Sequence, residues 1–144
     1  MGMVDVTKKK IVLREAEAVG RILLSKKTLK EIKAGHIKKG DPFQVAEVAA
    51  MNAAKQTHLI IPHCHQIPLD AVGLDFEVSE DWVEAKCLVK AQARTGVEME
   101  ALVGVSIALN TIWDMVKYLE KDEHGQYPDT RITEIKVIRK EKGH

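Results

Sequence analysis

The order of hydrophobic periodicities along this chain predicts an α+β fold of the split βαβ type, in which a four-stranded antiparallel sheet carries helices packed on one face. Three observations predict it. From Trp82 to Arg94 the residues alternate, with Val83, Ala85, Cys87, Val89, Ala91 and Ala93 set against Glu84, Lys86, Lys90, Gln92 and Arg94. That period of two belongs to a strand with one face in the core. From Thr95 to Lys117 runs the most apolar stretch of the chain, with Val97, Leu102, Val105, Ile107, Leu109, Ile112, Trp113 and Val116 on nearly every face, as in a helix buried almost all round. With one short helix set aside, the elements read strand, helix, strand, strand, helix, strand.

Each element has its own local cause. Met1 to Lys10 ends in three lysines and is expected to be a frayed terminus. Ile11 to Ile22 alternates Arg14, Ala16, Ala18, Gly20 and Ile22 against Leu13, Glu15, Glu17, Val19 and Arg21, which predicts a strand. Ser25 or Thr28 caps a short helix through Ala34, with Gly35 as its stop. His36 to Gly40 is a basic loop. Asp41 then caps the next helix, Pro42 takes its first position and Gln44 follows three residues after the cap. This helix reaches about Thr57, and Pro62 lies beyond its end. Pro62 and Pro68 bracket His63-Cys64-His65, so the segment is a stiff, irregular loop. Ala71 to Val78 reads as a strand, and Glu80-Asp81 makes the connection to the Trp82 strand short enough for a hairpin. Thr95-Gly96 leads into the long helix, which frays near Lys121. Asp122 to Asp129 is a loop, and Ile132 to Arg139 is a last strand before a basic tail.

At 144 residues, residues 1–144 suit one domain with a core that needs no disulfide or metal. The balance of 22 basic and 21 acidic residues gives no bulk charge to attract nucleic acid or a membrane, so any anion site is local. Aromatics make up 4% of the residues, too few for a stacking platform, and no nucleic-acid partner is expected. The expected compartment is the reducing cytoplasm: Cys64 and Cys87 are the two cysteines, with no apolar leader and no run expected to span a bilayer.

Glu98, Glu100, Asp114 and Lys117 stand inside the apolar run. A carboxylate removed from water costs several kcal/mol unless it is paired. One reading seats the glutamates in the helix's first turn and pairs Asp114 with Lys117 at i,i+3. The other, preferred because all four share one apolar helix, is a charged cavity. Glu100 and Asp114 are 14 positions apart, about 40° in azimuth but about 21 Å along the axis. One helix cannot bring both onto a small ligand, so a shared site needs a second copy of the chain.

Two further groups carry chemistry. His63-Cys64-His65 lacks partners at zinc-site spacing, so no metal centre is expected; its histidines either fill a tight loop or serve proton transfer or phosphate contact, for which imidazole is suited. Lys39 precedes a capped helix start, which attracts anions, although the phosphate-loop spacing of glycines is absent.

Together these segments resemble one family. Lys-Gly-Asp at 39–41, Ile-Pro-His-Cys-His at 61–65, Thr-Gly-Val-Glu-Met-Glu-Ala-Leu at 95–102 and Thr-Ile-Trp-Asp-Met-Val-Lys at 111–117 resemble molybdenum cofactor biosynthesis protein C, the cyclic pyranopterin monophosphate synthases. The likeness runs from Met3 to about Lys121. It implies a ferredoxin-like subunit assembled as a hexamer, a trimer of dimers, with active sites at subunit boundaries. It also implies an enzyme that turns (8S)-3',8-cyclo-7,8-dihydroguanosine 5'-triphosphate into cyclic pyranopterin monophosphate and releases pyrophosphate, without a resident cofactor; Mg2+ can accompany the triphosphate. By motif position the catalytic residues are Asp114, Lys117 and Lys39. His63, Cys64, His65, Met99 and Glu100 match substrate-contacting positions, and Glu98, Asp5 and Arg14 match further motif positions. The chain departs from the family pattern at two places: His63 stands where leucine is usual, and Arg139 to Gly143 lacks the Lys-Ser-Gly-Gly-Lys ending, so Lys140 receives no role by motif.

The chemistry suits these residue types. Reworking a purine-derived ring moves protons between different atoms, which needs acids and bases of unlike pKa. Closing a cyclic phosphate builds charge on departing pyrophosphate, which lysines stabilise. Asp114 and Lys117 are expected to do acid/base work, Lys39 to serve the phosphate or a proton transfer, and His65 and Glu100 to orient the substrate. The alternative is a non-enzymatic oligomeric module that binds an anion or a partner and keeps its buried charges for structure.

Overall fold

The computed structural model describes residues 1–143. Strand β1, Val12–Leu23, buries Arg14, Ala16, Ala18, Gly20 and Ile22, the set that its alternation predicts, and also Val19 from the opposite set. It pairs antiparallel with β3, Trp82–Ala93, from Val12↔Ala93 to Leu23↔Trp82. Strand β2, Ala71–Val78, forms a hairpin with β3, and β4, Arg131–Lys142, pairs along the other edge of β1. The resulting order β2-β3-β1-β4 is the split βαβ, ferredoxin-like sheet.

The helices follow their caps. Helix α1, Lys26–Ala34, takes Ser25 as its N-cap and ends on Gly35 at φ 73°; Thr28, the other candidate, lies inside the helix and is buried. Helix α2, Pro42–Lys55, has Asp41 accepting from the Phe43 N–H at 2.9 Å. The predicted single helix to Thr57 breaks at Gln56, and a further turn, α3, covers Thr57–Ile60. Helix α4 spans Glu98–Glu120 with no side-chain cap on Val97, so Thr95 and Gly96 stay outside it.

Both α2 and α4 pack on one face of the sheet. Ala101, Gly104 and Ala108 of α4 are buried, and a Cβ on Gly104 would come within 2.7 Å of the Cys87 sulfur. These small residues let the helix axis approach the sheet closely. One cluster of buried side chains joins α4 to β1, β3 and the inner sides of α1 and α2.

Four expectations need correction. The first concerns α4, which is not buried all round: Asp114 and Asn110 are exposed, and Met99, Leu102, Ser106 and Lys117 are half-buried, because sheet and α2 cover only part of its circumference. Nor do the last residues form a tail. Strand β4 continues to Arg14↔Lys142, and Gly143 N–H donates to Leu13 O at 2.8 Å, because β1 extends far enough to pair it. The terminus before β1, expected to fray, has no regular structure yet is held by a turn from Lys9 N–H to Val6 O and by His65 on Val4 O. Finally, α4 is long and apolar enough to span a bilayer, although no such run was expected; 56% of its most apolar window is buried within the fold, so core packing accounts for that composition.

On the opposite face of the sheet Arg21 pairs with Glu84 at 3.0 Å, and Arg139 bridges Glu15 and Glu17, each at 3.2 Å. The polar face read in the β3 alternation is therefore a lattice of ion pairs.

Candidate active site

The sequence-predicted residues fall into two groups at opposite ends of α4. At the C-terminal end Asp114 is the centre. Lys117, one turn further on, places Nζ 3.0 Å from Asp114 Oδ1. Lys39, from the loop between α1 and α2, donates to the Asp114 main-chain carbonyl at 3.0 Å and lies 3.4 Å from Oδ2. Hydrogen bonding and charge from Lys117, then from Lys39, hold the Asp114 carboxyl below its usual range. In return, Asp114 raises Lys117 above the usual lysine value. At neutral pH this end presents a carboxylate between two ammonium groups. It is open to solvent, with side-chain exposures of 59% for Asp114 and 40% for Lys117, so the enclosed charged cavity expected around these residues is not formed by one chain. The i,i+3 pairing accounts for their charge within one chain.

At the N-terminal end lies a cleft of about 300 Å³ lined by His63, Cys64, His65, Glu98, Met99 and Glu100, with Val4, Val6 and Lys9 from the chain terminus. The Pro-bracketed loop brings the three consecutive side chains here, and the start of α4 brings the glutamates. His65 Nε2 donates to the Val4 carbonyl at 2.7 Å. A carbonyl oxygen can only accept, so Nε2 carries the proton of that bond. Glu100 is 4% exposed; burial first, and the neighbouring Glu98 after it, push its pKa up against the lowering influence of its own backbone N–H. Burial, then the charges of Glu100 and Glu98, likewise raise the Cys64 thiol, so it stays protonated at neutral pH and offers a weak hydrogen bond rather than a nucleophile. Glu98 Oε1 meets Lys140 Nζ at 3.2 Å, while Oε2 is buried with no partner among the described residues.

A second cleft, about 460 Å³, adjoins the first through Lys9. Lys9, Lys10, Val12, Arg14, Lys142 and Gly143 line it. Arg14 is 7% exposed, and its hydrogen bonds go to the carbonyls of Ala93 and Arg94. A buried guanidinium without a carboxylate partner among the described residues, next to three lysines, favours an anion.

Asp5 does not line either cleft. It accepts from the backbone N–H and hydroxyl of Thr7, and these bonds lower its pKa; it shapes the terminal turn that carries Val4 and Val6. Sequence reasoning gave no role to Val4, Val6, Lys9, Lys10, Lys140 and Lys142. The basic run at Lys8 to Lys10 was visible, but its contact with the cleft depends on a terminal turn that periodicity does not report. The two ends of α4 remain about 21 Å apart within one chain. Among the described residues no three His, Cys, Asp or Glu side chains gather as metal ligands would.

Comparison with known proteins gives one family. A family model described as the MoaC family matches residues 3–143. A relative from Thermococcus kodakarensis is 55% identical over 141 residues, covering 98% of this chain and 90% of its own. One from Pyrococcus abyssi is 53% identical over 138 residues, 96% of this chain and 87% of its own. One from Methanosarcina acetivorans is 51% identical over 141 residues, 98% and 89% respectively. All three are described as probable cyclic pyranopterin monophosphate synthases.

Proposed function

The chain belongs to the MoaC family, and from that membership we propose that it is an enzyme of molybdenum cofactor biosynthesis that converts the cyclised dihydro-GTP intermediate to cyclic pyranopterin monophosphate and releases pyrophosphate. The observation that carries this reading is the match over residues 3–143 together with relatives of that description above 50% identity. The geometry supports a division of labour. His65 Nδ1, the Cys64 thiol, the Met99 side chain and Glu100 orient the purine-derived ring in the smaller cleft, with His63 at its rim. Burial favours the protonated form of Glu100, the form that can donate to a ring heteroatom. The adjoining cleft of Lys9, Lys10, Arg14 and Lys142 takes the triphosphate. When a sugar hydroxyl attacks the innermost phosphorus, the bond to the bridging oxygen breaks and the new charge on pyrophosphate falls among these cations.

Asp114 and Lys117 supply the remaining proton transfers. Ionised beside each other, Asp114 is the proton acceptor and Lys117 the donor, with Lys39 as a second cation; their pairing weakens both as base and acid, and a substrate that parts the pair restores that reactivity. Because about 21 Å of helix separates them from the clefts, the complete site draws one end of α4 from each of two subunits. Under this reading the enzyme is a homo-oligomer, a hexamer built as a trimer of dimers, in the cytoplasm, with no nucleic-acid or membrane partner. No resident cofactor takes part; Mg2+ enters only as the triphosphate's counter-ion.

The experiment gives purified protein the cyclised GTP intermediate and assays pyrophosphate and pterin product together. Stoichiometric release of both is the expected result, and Lys117→Ala should abolish it while leaving the oligomer folded. Near-normal product from Lys117→Ala would refute the assignment.

A further inference from the structure

Lys39 sits in a loop with little of its own to hold it. Gly35 at φ 73° and Gly40 at φ 112° flank the segment, and Lys38, Lys39 and Gly40 are exposed. Two contacts restrain it from below: Ile37 is buried at 8% exposure, and Gly40 N–H donates to Ile37 O at 3.1 Å. A third comes from α4. The Lys38 backbone N–H donates to the Tyr118 hydroxyl at 2.9 Å, and the Lys38 ammonium lies 5.2 Å from the centre of the same ring.

Tyr118 follows Asp114 by four residues, so the two stand one turn apart on the same face of α4. Adjacent loop residues therefore grip adjacent turns of the helix: Lys38 N–H on Tyr118, and Lys39 Nζ on the Asp114 carbonyl at 3.0 Å. A hydrogen bond from the Lys38 N–H fixes the Ile37–Lys38 peptide, one residue before Lys39. The half-buried ring is itself packed against the core. We propose that Tyr118 is a positioning residue for Lys39, its hydroxyl fixing the loop backbone so that the Lys39 ammonium stays against Asp114. The proposal rests on the reading that Asp114 and Lys39 serve the reaction, and its test separates the two.

The charged groups that face Asp114 are Lys117 on its own helix and Lys39 from the loop, and Tyr127 acts in turn on Lys117. The Asp114 carboxyl therefore reports where Lys39 is. In the full-length oligomer, Tyr118→Phe keeps the ring and removes the acceptor. Its carbon-13 carboxyl titration should show the Asp114 midpoint moved up towards an ordinary aspartate. Its kcat should fall by about five- to tenfold, the worth of one hydrogen bond, with KM within about twofold. Lys38→Ala, which retains the backbone donor, should behave as wild type. In a Lys39→Ala background, Tyr118→Phe should move the Asp114 midpoint no further, because its effect passes through Lys39. An unmoved midpoint in Tyr118→Phe, or an equal shift with and without Lys39, overturns the proposal. A shifted midpoint with unchanged kcat supports the positioning role and removes Asp114 and Lys39 from the reaction instead.

Discussion

Helix α4 buries two carboxylates, Glu100 near its start at 4% exposure and Glu120 at its end at 7%, and the protein treats them in opposite ways. Around Glu120, hydroxyls and an amide converge: Ser25 Oγ and Thr130 Oγ1 each donate at 2.7 Å, the Ser25 N–H at 3.2 Å, and Thr28 Oγ1 donates as well. Burial alone would raise its pKa, and these donors outweigh that and lower it. Among the described residues Glu100 has no such set of donors, and its pKa is raised. A buried charge whose hydrogen bonds are complete ties α1, α4 and the start of β4 together. One left short of donors beside a cleft carries a cost that stability does not explain, and such costs are where function is kept.

The largest expected effect lies at the satisfied end. Glu120→Ala leaves Ser25, Thr28 and Thr130 without their acceptor and should cost about 3–5 kcal/mol, read as a lower midpoint in urea unfolding. A loss below about 1 kcal/mol would erase the contrast.

The two residues should also respond oppositely to pH. Folding lowers the Glu120 pKa, so its stabilisation is complete above the ordinary glutamate value of 4.5 and is lost as pH falls below that through the folded value. Folding raises the Glu100 pKa, so its contribution is most favourable below 4.5 and declines as pH rises through the folded value. Glu120→Gln should reduce the acid sensitivity of the unfolding curve, leaving the part that Asp114 and Asp5 contribute. Glu100→Gln should stabilise the protein at neutral pH by about 1 kcal/mol and slow turnover about a hundredfold; a destabilised, fully active variant would reverse the interpretation of that end.

Asp114→Asn should be the quietest in stability. Its two lysine partners reach it at the surface, where ion pairs contribute little, so thermal unfolding should stay within about 3 °C while turnover is lost. A large drop in unfolding temperature with activity retained would instead favour a structural ion pair and the non-enzymatic alternative.

The same helix measures what the sequence discloses. The β3 alternation and the Asp41-Pro42 start were legible because period and capping are local. Glu100 stood out because an acid in an apolar run is visible without coordinates. Glu120 did not, since Ser25 and Thr28 are 95 and 92 residues away, and nothing local marks them as its partners. The extension of β4 past Arg139 was hidden for the same reason: its pairing partner is β1. Asp114 was expected to be enclosed, because an apolar helix shows how much surface seeks cover but not which side the same chain will leave open. The terminal arm was read as frayed because its anchors, His65 and the cleft, come from a distant loop.

The central claim is that the two ends of α4 meet across subunits. Oligomers of Lys117→Ala and of His65→Ala, each inactive alone, can be mixed under conditions of demonstrated subunit exchange and assayed for pyrophosphate and pterin product. If each site takes one end of the helix from each of two chains, equal mixing should restore about a quarter of wild-type activity, because a mixed pair contains one intact site and one doubly altered site. A fully exchanged mixture as inactive as its parents would contradict it.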